Sequence, residues 1–210
     1  MTENEWTGKT TKISNFEINV AFLTSKEYYF GDENDPHQIA NREKFTEPLY
    51  TPYADKDLLV TTKNIFENPD ELINYYQSVL TLSKKHTKKP SQYYFWIRPI
   101  IRNLETKEVL ISFPWYDTLN EIRRLFFELT KENEGNIFFD ADQGWELTID
   151  NYNGQIFIKE YDPDDDEIYC SINIDRKEMI TQLGDVIVKT ERIVTNLINH
   201  FGIDYWTKRI

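Results

Sequence analysis

The sequence predicts an α+β domain: an antiparallel meander sheet with helices packed on one face and a long C-terminal helix. Three observations carry this. In 142–178, Trp145, Leu147 and Ile149 alternate with Glu146, Thr148 and Asp150, the period of two of a half-buried strand. Turn chemistry follows in Asn151, Tyr152, Asn153 and Gly154, and Ile156 and Ile158 then return to the face of Leu147 and Ile149. Past an acidic loop, Ile168, Cys170, Ile172 and Ile174 share one face of a third strand, before Ile180, Leu183, Ile187, Val194, Leu197 and Phe201 recur at helical spacing.

Taken in order, residues 1–11 are polar and expected to be flexible, and 12–210 form a single α+β domain, any subdivision falling near 67–90. Phe16, Ile18, Val20 and Phe22 mark a first strand, with 26–30 as its hairpin partner through Thr24 and Ser25. The interval 31–57 is rich in Pro, Asp and Asn, with a short helix over 37–45 and Pro48 and Pro52 against regular structure beyond it. Residues 58–66 read as another strand. Asn68, Pro69, Asp70 and Glu71 start a helix whose stripe is Leu72, Ile73, Tyr76, Val79 and Leu80. Lysines 84, 85, 88 and 89 suit its negative C-terminal end, and Pro90 stops it.

The aromatic and β-branched run 92–102 reads as a strand, with Pro99 pointing to an edge or a bulge. Residues 108–114 pair with it through the turn at 103–106. Thr118 and Glu121 form a capping box, and Leu119, Ile122, Leu125, Phe126 and Leu129 the buried stripe of the next helix. Residues 137–139 precede the meander. Asp175 and Glu178 cap the last helix, Gly184 weakens its first turns, and Gly202 is placed to stop it.

Charge is the other strong signal. The net charge is −12, and over 132–178 fourteen carboxylates stand against Lys159, Arg176 and Lys177, a local balance of −11. Over 84–102 there are six Lys and Arg and no carboxylate. Such a field acts on steering and partner choice rather than on fold. No run approaches the ~18 apolar residues of a membrane span, and MTENEWTGKTTK has no apolar stretch of the signal-peptide kind. Cys170 is the single cysteine, so no intrachain disulfide forms and a cytoplasmic location is expected. At an inward strand position it serves as a small buried hydrophobe.

Motifs that carry chemistry are few. Asp162, Asp164 and Asp166 occupy positions one, three and five of a calcium loop, but Glu167 stands where Gly is required and Asn173 where Glu is required. His37, His86 and His200 have no second ligand at metal spacing, so neither metal nor cofactor is expected. Phosphate loops, nucleophile elbows and zincin motifs are missing. Glu146 and Asp150, placed near Glu160 or Asp162, are a carboxylate pair of the kind any acidic sheet supplies. Tyr93, Tyr94, Phe95 and Trp96 after the lysines imitate a nucleic-acid site, which the overall acidity opposes. Trp6, Trp115, Tyr116, Tyr205 and Trp206 read as packing, with Tyr205 and Trp206 also suited to an interface.

The segment beginning Asp142, Gln143, Gly144, Trp145, Glu146, Leu147, with its hairpin, acidic turn, third strand and long helix ending near Tyr205 and Trp206, resembles immunity proteins of bacterial polymorphic-toxin systems in layout. The resemblance covers about the last 75 residues, 136–210. It implies a non-catalytic cytoplasmic protein that binds a cognate protein toxin, such as a basic nuclease, and blocks its active site. The expected binding residues are Asp162, Asp164, Asp165, Asp166 and Glu167, with Glu146, Asp150 and Tyr152 beside them. The lysine cluster at 84–89 departs from a wholly anionic binder. A second reading is a small-ligand binder or enzyme, with Tyr28, Tyr50 or Tyr53 and a buried carboxylate in a pocket under the 31–57 loop. A third is a self-assembling structural protein with a large exposed apolar patch.

Overall fold

The computed structural model describes residues 6–52, 59–142 and 144–209. Residues 7–9, expected to be loose with the rest of 1–11, form a 3-10 turn that leads into β1 (Thr11–Lys12). The strand β2 (Phe16–Leu23) follows, but 26–30 is not its hairpin partner. Instead β3 (Glu27–Tyr29) pairs with β4 (Thr46–Pro48) across α1 (Pro36–Ala40). The expected strand over 58–66 is a short β5 (Leu59–Thr61) that turns directly into α2 (Thr62–Glu67); Leu58 lies outside the described residues. Then come α3 (Asp70–Lys85) and a 3-10 turn at Gln92–Phe95, where a strand was expected. The remaining elements are β6 (Ile97–Asn103), β7 (Val109–Ser112), α4 (Leu119–Leu129), β8 (Gly135–Asp142), β9 (Trp145–Tyr152), β10 (Gln155–Asp162), β11 (Glu167–Asp175) and α5 (Arg176–Phe201).

The architecture is α+β. The main strands form two sheets, ordered β5-β2-β6-β7 and β1-β11-β10-β9-β8, of which the second contains the expected meander. Its ladders are antiparallel except that β1 joins β11 in parallel. Pro99 sits inside β6, a central strand, and not at an edge. Phe113 N donates to Pro99 O, so the position of the missing amide faces Phe113, just past the end of β7 at Ser112.

Helix α5 holds the two sheets on one core. Its N-terminus is capped by Asp175, whose side chain accepts from Glu178 N at 2.8 Å. Met179, Leu183, Val186, Thr190, Ile193, Val194 and Leu197 form its buried stripe. The pairing of β2 with β5 covers only residues 21–23 of β2. Further along that edge Gln182 of α5 takes the place of a strand: its Oε1 accepts from Ile18 N at 2.7 Å and its Nε2 donates to Phe16 O at 3.2 Å. Helix α4 runs antiparallel to α5: Leu119 N donates to Trp206 O, and at the other end Arg176 donates to Thr130 O. Trp206 is a core residue, packed on Tyr76 and Phe95 with ring centroids 5.0 and 5.7 Å away. Gly202 ends α5 at φ 67°, a left-handed cap that costs least with no Cβ.

Candidate acidic binding face

The site is built at one end of the five-stranded sheet, where the β8–β9 turn and the β10–β11 tip come together. The β9–β10 turn at the other end is the two residues Asn153 and Gly154, both at positive φ, and Tyr152 pairs with Gln155 across it. That register sets Ile149 opposite Ile158, and Ile158 opposite Ile172, all three buried in the core. The alternate residues form the outer face.

A β-bulge then reverses the phase of β11. Glu160 pairs with Cys170, but Tyr161 pairs with Ile168, leaving Tyr169 as the extra residue. Ile168, expected to face inward, is therefore 56% exposed on the outer side. Phe139 is 57% exposed in the neighbouring row of the same face, and Tyr169 is also exposed. Lys159 lies 4.1 Å from the centroid of the Tyr161 ring. These exposed apolar side chains had one signal in the sequence: Phe138-Phe139 and Ile168-Tyr169 are adjacent large apolar pairs, and a strand cannot turn both members of a pair inward.

The acidic tip is organised by its own hydrogen bonds. Asp162 Oδ1 accepts from the amides of Asp164 and Asp165 at 2.8 and 3.2 Å, and its Oδ2 accepts from Tyr169 Oη at 2.8 Å. The Tyr169 hydroxyl first, then these amides, hold the Asp162 carboxyl below its ordinary value. The same bond pushes the Tyr169 phenol up to about 12. Asp166, at φ 53°, accepts from Tyr161 Oη at 2.6 Å. Gly144 lies beneath: a Cβ there would meet Asp164 Oδ2 at 3.2 Å, and its φ of 68° suits glycine.

Of the eight expected binding residues, Asp164, Asp165, Asp166 and Glu167 are exposed together at this tip. Glu146 joins them across the ladder, paired with Tyr161 on the outer face. Asp162 is largely buried and serves the turn. Asp150 and Tyr152 do not lie beside the tip. They sit toward the Asn153-Gly154 end, where seven residue steps of β10 put Gln155 roughly 24 Å from Asp162. Both are buried, because the N-terminal segment covers that half of the outer face: the Trp6 and Phe157 rings meet edge-on at 6.4 Å, and Asp150 accepts from Asn136 Nδ2 at 2.9 Å.

Glu160 is not on the outer face with Glu146 and Asp150. It lies across from Leu147 on the inner side, accepting from Trp145 Nε1 at 2.7 Å. Burial pushes its carboxyl up, against the effect of that indole bond. Burial first, then the Glu160 charge, raises the adjacent Cys170 thiol to about 12, so it stays protonated and unreactive at neutral pH. Among the described residues no three His, Cys, Asp or Glu side chains are placed to hold a metal ion.

Among the described residues, Tyr28 and Tyr50, two of the tyrosines expected in a pocket under the 31–57 loop, are not brought together. Tyr28 is in the core, stacked on Tyr94 at 5.2 Å, whereas Tyr50 is on the surface with its hydroxyl 3.1 Å from Glu71 Oε1. Tyr53 lies outside the described residues. Much of the lysine cluster is used to hold this loop: Lys85 and His86 both reach Glu47 at 2.6 Å, and Lys88 donates to Gly31 O. His86 also stacks on Phe30 at 3.9 Å.

Compared with models of protein families, with curated proteins and with solved structures, the chain gives no match. Among the described residues no helix is long and apolar enough to cross a membrane.

Proposed function

We propose that this chain is a non-catalytic protein-binding module, an immunity protein that acts in the cytoplasm by capping the active site of a basic toxin domain, such as a nuclease. The observation that carries this reading is the uncovered half of the outer sheet face. Phe139, Ile168 and Tyr169 stand exposed there, beside Glu146, Asp164, Asp165, Asp166 and Glu167. Apolar anchors beside a single sign of charge are what a steered, specific protein contact needs: the anchors slow dissociation and the carboxylates speed encounter. A rigid tip strengthens the case, since carboxylates already held by the Asp162 turn lose little freedom on binding. Against a nuclease the same carboxylates would occupy the places of phosphates.

The test is a capture experiment from the source cells at low and high salt, with wild-type bait and a bait carrying Asp164→Lys, Asp165→Lys and Asp166→Lys. The reading expects one basic protein, retained at low salt, lost at high salt and lost from the reversed bait. That protein, purified, should be toxic or enzymatically active alone and silenced by an equimolar amount of this chain. A partner that the reversed bait retains undiminished would move the site elsewhere. A captured partner whose activity is untouched would remove the immunity function.

A further inference from the structure

Away from the acidic end, an open cavity of about 180 Å³ lies between α2, the start of α3 and the C-terminal half of α5. Its apolar lining includes Ile65, Leu72, Ile193 and Leu197, all core residues, with Phe66 and Ile73 more exposed. The charged lining residue is Arg192. Its guanidinium carbon lies 5.6 Å from the centroid of the Phe66 ring. Among the described residues it has no ion-pair partner, and no carboxylate lines the cavity. An unpaired guanidinium at an apolar hollow is a recognisable polar anchor in an otherwise greasy site.

Size and charge narrow the ligand. A dry apolar cavity of about 150 Å³ takes one benzene-sized molecule, so this one has room for a single ring or short branched chain and one polar group. The guanidinium fork matches a planar carboxylate with two parallel bonds, and its position against Phe66 limits how it can turn. A cation in the same place would meet Arg192 with no compensating carboxylate among the described lining residues.

We infer that this cavity is a binding site for a small apolar monocarboxylate. Its hydrocarbon part would rest on Leu72, Ile193 and Leu197 and its carboxylate would pair with Arg192. The site is separate from the acidic face and does not depend on the function proposed for it.

The experiment is a titration of isotope-labelled full-length protein with phenylacetate, followed by amide shifts in the NMR spectrum. Phenethylammonium, of the same size and opposite charge, serves as the control. Saturable shifts confined to 65–73 and 192–197 are expected, with a dissociation constant on the order of 1 mM for a ligand of this size. Arg192→Gln, a change at an exposed position that leaves the fold intact, should weaken phenylacetate about tenfold. Ile73→Trp, which fills the hollow, should abolish the shifts. The inference is overturned by phenethylammonium binding as well as phenylacetate, by equal binding to the Arg192→Gln protein, or by no saturable shift up to the solubility of the acid.

Discussion

The outer face of the five-stranded sheet has two halves made by the same strands, and they have opposite fates. Toward the Asn153-Gly154 turn, Phe157 and Tyr152 lie under the N-terminal segment with Trp6, and Asp150 is bonded to Asn136 and has no exposure. Toward the acidic tip no such cover is present among the described residues, and Phe139 and Ile168 stand open beside carboxylates. Strand chemistry alone does not separate the halves, since each has an aromatic and an acid on the outer side. What separates them is β1, which pairs with β11 at Ile172 and Asn173 and goes no further toward the tip. The lesson is that an outward strand position becomes core wherever another segment is tethered over it, and remains available for a partner where none is.

The largest expected effect breaks that comparison directly. Phe157 is 8% exposed and Phe139 57%, on one face of the sheet with β9 between their strands. Phe157→Ala should cost about 3 kcal/mol of unfolding free energy, through the lost transfer energy and the cavity left under Trp6. Phe139→Ala should leave stability within about 0.5 kcal/mol of wild type. If the open half is a binding face, however, it should weaken the captured partner at least tenfold, the lower end of an interface anchor. Urea unfolding and a titration with the partner measure the two. Equal destabilisation by both changes would mean the halves do not differ as described.

Next in size is Gly144→Ala, which tests the support of the tip rather than its charge. A left-handed φ costs an alanine about 1 kcal/mol, and the new Cβ presses on the Asp164 carboxylate. A loss of about 1–2 kcal/mol is expected by urea unfolding, with amide shifts at 162–167. A smaller effect on stability is expected from Asp164→Lys with Asp165→Lys, whose side chains are exposed. Both should stay within about 0.5 kcal/mol in unfolding while slowing partner association about tenfold at low salt. Stopped-flow association at two salt concentrations checks this, and a rate that does not change would remove steering from the account.

The readable parts of the chain were those set by local pattern. Alternation along β9 and β10, the Asn-Gly turn, the Thr118–Glu121 capping box and the Asp175 cap all follow from neighbours within a few residues, and each is found. The α+β class follows from them. The misread parts depend on distant partners. The bulge at Tyr169 inverted the assignment of Ile168, and an inserted residue leaves no trace in the composition of a strand. Residues 27–29 pair with 46–48, while β2 has β5 and β6 as its distant partners; Tyr29 N donates to Tyr94 Oη at 2.7 Å, and that hydroxyl donates to Glu27 O at 3.4 Å. Leu59-Val60 and Ile65-Phe66 are apolar pairs separated by four polar residues, too short a pattern to tell a strand from a strand that breaks into a helix. At the candidate site the charges were legible and the burial of Asp150 and Tyr152 was not, because it depends on Asn136 and on Phe157, itself met by Trp6 from far away in the chain.

The smallest effects concern two carboxyls two residues apart on β10, and they sharpen the comparison by opposing each other in acid. Asp162 has its carboxyl lowered from 3.8 by the Tyr169 hydroxyl and the turn amides. Its ionised form is favoured by the fold, so its contribution is full above pH 3.8 and is lost as pH falls through the lower folded value. Asp162→Asn should therefore destabilise at neutral pH and narrow its deficit as the solution is acidified below about 4. Glu160 has its carboxyl raised from 4.5 by burial. Its charge opposes the fold above the folded value and has no effect below 4.5, where both states are protonated. Glu160→Gln keeps an acceptor for Trp145 Nε1 and should raise the melting temperature at neutral pH, with the gain vanishing below pH 4.5. Melting curves of the three proteins from neutral pH to pH 3 test both signs at once. Parallel curves for the two variants would show that the two carboxyls, on the same face of β10, are electrostatically alike, and would sink the separation between a Glu160 carboxyl that burial disfavours and an Asp162 carboxyl that the turn holds ionised.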